Sequence, residues 1–260
     1  MSEKHTLLQR IVEVRYERGY RYLDRCGEVM LILDELLPQE TGKVWLPEET
    51  APSGARLKCP QLDITLHFNA ERMNLSQSPS EGSRLDIGRL AQAIFTSISA
   101  RFDLRIATRF GLRQIWMVPN DSIEEAEAAS LHRIPLRASW PVPAPEGMKI
   151  KNADLAVTFE VPNHSAGIRF QVRPGSRIDA PLEVDERLNL PPHMLPSGQR
   201  EALIDQLRRR KQKEEEPLAG LVVDVDYYSL RPVIGTLEAF LASAKKETSR
   251  FLQGFIEGKS

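Results

Sequence analysis

The amino-acid sequence predicts an α+β protein, with antiparallel sheets carrying long amphipathic helices on one face and with two lobes. Two observations carry the prediction. Each half of the chain holds a pair of alternating apolar runs that reads as a hairpin, and each half adds a further strand and a long segment of helical apolar spacing. That order suits antiparallel pairing rather than a doubly wound parallel fold.

Taken in order, Leu8, Val12, Val14 and Tyr16 fall on alternate positions opposite Ile11, Glu13, Arg15 and Glu17, the period of a half-buried strand. After Gly19 the spacing of Leu23, Cys26, Met30, Leu33, Leu36 and Leu37 predicts a helix that closes at Pro38. A loop rich in Pro, Gly and Glu is expected to about residue 54. Leu62, Ile64, Leu66 and Phe68 then pair with Met73 and Leu75 as a hairpin around Asn69 and Ala70. Leu85, Leu90, Ile94, Phe95, Ile98 and Phe102 trace a helix, and residues from Arg101 to Val118 read as a long strand. Asp121 or Ser122 caps a short acidic helix, with Glu124 and Glu125 in the turn where the helix dipole favours negative charge.

Pro135, Pro141, Pro143 and Pro145 mark residues 135–150 as a linker between an N-terminal lobe, residues 1–134, and a C-terminal lobe, residues 151–260. In the second lobe, alternating runs from Leu155 to Val161 and from Ile168 to Arg173 form a hairpin; Val161 facing Ile168 would set Glu160 opposite Arg169. After an irregular, proline-rich stretch comes a polar helix from about Ser197 to Glu216, a strand from Leu218 to Tyr228 and a last helix from Leu237 to Ile256 with one broad apolar face.

Composition narrows the function classes. Thirty-five Lys and Arg against thirty-six Asp and Glu leave a formal net charge of −1, so no global field draws the chain to nucleic acid or an anionic membrane. Cys26 and Cys59 read as reduced thiols, being too far apart in sequence for a redox or zinc pair. With a charged start and no spanning apolar run, a bacterial cytoplasmic location is expected and membrane association is not. His5, His67, His132, His164 and His193 are scattered, and phosphate-loop, dinucleotide and nucleophile-elbow motifs are missing, so neither metal, cofactor nor catalytic residue is assigned.

The sharpest feature is the strand from Arg101. Leu104, Ile106, Phe110, Leu112 and Trp116 take one parity while Arg105, Arg109 and Arg113 take the other, with successive guanidiniums originating ~13 Å apart. Arginine offers planar, bidentate donors to carboxylate or phosphate, so such a row can hold an anion, an acidic partner or a phosphate backbone. A second reading pairs the row with Asp224 and Asp226, carboxylates on one face of another strand. A binding row requires at least two of the three guanidiniums to be accessible and to have no carboxylate of the same chain within reach. Arg208-Arg-Arg-Lys-Gln-Lys213 runs straight into three glutamates without stacking aromatics, which favours a solvated helix face over nucleic acid.

Arg109-Phe-Gly-Leu-Arg113, Leu221-Val-Val-Asp-Val-Asp226 and the long last helix resemble a sporadically distributed bacterial family of uncharacterised proteins of about this length. That family carries R-x-G-L-R-Y-x-N and a hydrophobic D-x-D strand; this chain has Gln114 for the tyrosine and Trp116 for the asparagine. The resemblance implies the architecture and no activity. The expected function is a non-catalytic binding or accessory subunit of a bacterial system, recognising a protein partner, a second copy or an anionic ligand. The alternatives are a nucleic-acid-associated factor using the arginine row and a hydrolase whose site assembles only in the fold.

Overall fold

The computed structural model describes residues 5–17, 19–79, 85–133, 154–160, 165–176, 188, 198–214 and 219–257. Its strands are β1 (Thr6–Tyr16), β2 (Leu46–Ala51), β3 (Gly54–Cys59), β4 (Ile64–Phe68), β5 (Arg72–Gln77), β6 (Ala107–Asn120), β7 (Leu155–Glu160), β8 (Ala166–Ser176) and β9 (Ala219–Leu230). They form one antiparallel sheet in the order β2-β3-β4-β5-β1-β6-β9-β8-β7. The helices are α1 (Arg21–Thr41), α2 (Ile87–Phe102), α3 (Ile123–Arg133), α4 (Gln199–Glu214) and α5 (Leu237–Glu257). The α+β class and the antiparallel pairing match the expectation. Both halves of the chain feed the same sheet, which crosses from one to the other where β6 pairs β9 from Arg109↔Leu230 to Asn120↔Ala219. The expected linker, residues 135–150, lies outside the described residues.

Two-residue alternation decides which face meets the helices. Val12 and Val14 of β1 lie opposite Leu112 and Phe110 of β6, and all four are buried. Ile94, Phe95 and Ile98 of α2 pack onto this surface, Phe95 edge-on to Phe110 at 6.3 Å. A second cluster joins Val118, Phe170, Val172, Leu221 and Val223 to Leu252 of α5, with the Phe251 ring tilted against Phe170 at 4.9 Å. Local signals set the helix ends. Asp86 caps α2, its Oδ1 accepting from the Gly88 and Arg89 amides, and at α3 Ser122 Oγ accepts from the Glu125 amide while the Glu125 carboxylate accepts from the Asp121 amide.

Four expectations need correction. The strand expected from Arg101 begins only at Ala107, because α2 runs through Phe102 and ends on Asp103 in the left-handed region, φ 53°, a conformation aspartate tolerates. Helix α1 passes Pro38 to Thr41, its last turn closed by the Gly42 amide donating to the Pro38 carbonyl. A non-helical residue at Arg25, φ −130°, rotates the first turn, so Tyr22 is buried and Leu23 exposed. The loop expected before residue 54 contains β2, whose Pro47, Glu48 and Glu49 suit an edge strand. In the β7–β8 hairpin Phe159, not Val161, faces Ile168, so Glu160 meets Gly167 and Arg169 meets Thr158. A two-residue shift keeps every side chain on its face, which is why alternation alone cannot distinguish the registers.

Removing packed volume from either cluster leaves a cavity. Phe95→Ala and Leu252→Ala are each expected to lower the unfolding free energy by ~2–5 kcal/mol in urea denaturation.

Candidate functional site

On the sheet face opposite the helices, Arg109 and Arg113 are paired with carboxylates of neighbouring strands. Arg109 donates from Nη2 to both Asp226 carboxylate oxygens at 2.9 and 2.7 Å, and from Nη1 to Glu13. Arg15 donates from Nε to the same Glu13 at 3.0 Å. Arg113 grips Asp224 through Nε at 2.9 Å and through Nη2. Three strands are thereby cross-linked by charge: β1 through Glu13, β6 through Arg109 and β9 through Asp226.

The register explains how the arginine reaches. Glu13 and Tyr228 both face Gly111, and Tyr228 faces Gly167 on its other side. The Arg109 chain lies across Gly111, where an added Cβ would stand 2.6 Å from its Nη1. Its guanidinium sits 5.6 Å from the Tyr228 ring centroid, within cation–π range, and the Tyr228 ring in turn occupies the space left by the missing Cβ of Gly167. Two glycines in one cross-strand row thus make room for a tyrosine and an arginine.

Arg109, Glu13 and Asp226 are only 18%, 12% and 21% exposed in their side chains. Arg105 differs. It lies outside β6, is 79% exposed, and pairs with Asp103 two residues back. The three arginines therefore do not share one strand, and each has a carboxylate of its own chain within reach, so the condition for a free cationic row is not met. Burial holds the Asp226 carboxyl above its ordinary value of 3.8, against the pull of Arg109 and then Arg113.

The helix face holds a different arrangement. Gln77, Arg10 and Gln114 stand in register on β5, β1 and β6, a polar row where Val12 and Leu112 next to it are core. Arg10 and Gln114 of this row lie beneath a cleft of about 710 Å³ between α2 and α5, lined at its floor by these two and Leu112 and at its walls by Ile87, Gln92 and Leu241. Nε of Arg10 and Oε1 of Gln92 and Gln114 are buried there without a hydrogen-bond partner, and Gln114 as a whole is 3% exposed. Burial lowers the Arg10 guanidinium from its ordinary value, with Asp86 opposing. Unpartnered buried polar atoms are costly, so three around one cleft mark it as built for polar contacts. Sequence reading missed this site. Its signal was present: Arg10 and Gln114 interrupt apolar runs in phase with the core, where a purely structural strand would carry aliphatic residues.

Among the described residues no group of three or more His, Cys, Asp or Glu side chains is placed to hold a metal ion, and no helix is long and apolar enough to cross a membrane. No family model, curated protein or solved structure matches the chain.

Arg109→Ala strands Glu13 and Asp226 in partly buried positions and is expected to destabilise the fold by ~3–5 kcal/mol, whereas Arg105→Ala should leave the melting temperature unchanged. The same variant tests the electrostatics. Because Asp226 titrates above 3.8 in the fold, its protonated form adds stability below that value which is lost as pH rises through the folded pKa. Without Arg109 the Asp226 carboxyl carbon should titrate higher still by NMR, and the loss with rising pH should grow.

Proposed function

We propose that the chain is a non-catalytic binding or accessory subunit of a bacterial cytoplasmic system, and that it recognises a small anionic ligand in the cleft between α2 and α5. The observation that carries this reading is the buried Nε of Arg10 at the floor of that cleft, unpartnered beside Gln114. A guanidinium half out of water with a free donor is stabilised by an incoming carboxylate or phosphate oxygen, and the charge-assisted bond is stronger than one to water. The cleft volume of about 710 Å³ suits a small molecule.

The rival nucleic-acid reading would draw on Arg109 and Arg113, and these are already engaged by Glu13, Asp226 and Asp224. A phosphate backbone would have to displace those carboxylates. Kinship with the bacterial family that carries R-x-G-L-R belongs to the same proposal, as does a two-lobed organisation, which the separate core clusters under α2 and under the end of α5 support.

Hydrocinnamate, a monocarboxylate with an apolar body, is expected to bind saturably in isothermal titration. Arg10→Met should abolish that binding without lowering the melting temperature, since an apolar chain of similar volume replaces a partly buried charge that burial disfavours. Undiminished binding to Arg10→Met would refute the assignment.

A further inference from the structure

The cleft asks for more than an anion. Its unpartnered buried atoms comprise one donor, Nε of Arg10, and two acceptors, Oε1 of Gln114 on β6 and Oε1 of Gln92 on α2. A phosphate or simple carboxylate satisfies the first and sets its own lone pairs against the other two. The start of α2 offers no compensating anion site, because Asp86 already accepts from the Gly88 and Arg89 amides. The charged lining residues also balance, with Arg10, Arg89 and Lys245 against Glu40, Asp86 and Glu238, so no local field favours a polyanion. Between the polar groups stand Ile87, Leu112 and Leu241, an apolar wall.

Resting on the cleft as an anion site, we infer that its ligand is an amino-acid derivative: a carboxylate for Arg10, an adjacent N–H for the glutamine carbonyls, and an apolar side chain against Ile87, Leu112 and Leu241. The carboxylate and the N–H of such a compound are separated by one carbon. That spacing matches a floor on which Arg10 and Gln114 are directly opposed cross-strand neighbours. Gln92 reaches the same space from above on α2, so the N–H meets an acceptor from either layer. A ligand lacking the N–H leaves both acceptors desolvated and unmet, and that penalty gives discrimination.

The test compares three probes on the full chain by isothermal titration: N-acetyl-L-phenylalanine, hydrocinnamate and N-acetyl-L-phenylalaninamide. N-acetyl-L-phenylalanine should bind about tenfold more tightly than hydrocinnamate, the effect of one satisfied buried acceptor. The amide, without a carboxylate, should not saturate. Gln114→Leu should remove most of the tenfold advantage while hydrocinnamate still binds. Should that variant not fold, Gln92→Leu, on the helix, carries the same expectation. Hydrocinnamate binding as tightly as N-acetyl-L-phenylalanine, or an advantage that survives both glutamine substitutions, overturns the amino-acid inference and leaves the anion site standing. Failure of both acids to saturate overturns the inference and the anion site together.

Discussion

The Arg109 guanidinium, clamped between Glu13 and Asp226, ties β1, β6 and β9 together at the centre of the sheet. These strands are the seam between the two halves of the chain: β6 ends the run of strands from the first half, and β9 is the strand of the second half that reaches it. The clamp depends on Gly111. A Cβ there would stand 2.6 Å from Nη1 of Arg109, so the guanidinium would have to shift from its present place between the two carboxylates. Tyr228 closes the arrangement from β9, its ring against the cation and over Gly167.

Strand β6 shows how differently polar groups behave on its two faces. On one, Arg109 and Arg113 have their donors met by carboxylates from neighbouring strands, and charges that attract notice in the sequence turn out to be occupied. On the other, Gln114 sits among buried aliphatic residues with its carbonyl oxygen unmet. A satisfied network rigidifies; an unsatisfied one costs stability and persists where something else is to be bound. Exposure and satisfaction together, rather than charge alone, separate a structural cluster from a candidate site.

The helices complete this division. Helix α2 seals the larger core along its length, with Leu90, Ile94, Phe95 and Ile98, while Ile87 and Gln92 in its first turns also line one wall of the cleft. Helix α5 does the same from the other side, lining the cleft with Leu241 and packing Leu252 into the second cluster further along. The cleft therefore lies between two helices, over Arg10 and Gln114 and beside Ile87, Leu112 and Leu241.

From the sequence alone came the α+β class, the helical faces of α2 and α5, the alternation of β1, β6, β8 and β9, and the pairing options open to Arg109 and Arg113. These follow from periodicity and capping, which are set by residues within a turn or two of each other. The tertiary structure decided what periodicity cannot encode. It chose the order of strands in the sheet, placed Glu13 beside Arg109 across 96 residues and Asp226 across 117, and set the β7–β8 register two residues from the one expected. It also gathered Arg10, Gln92 and Gln114 around one cleft. In the sequence Arg10 and Gln114 show only as breaks in separate apolar runs, and nothing local joins them to each other or to Gln92. Only when strand pairing and helix packing withdraw water from all three does their shared lack of partners become a physical fact.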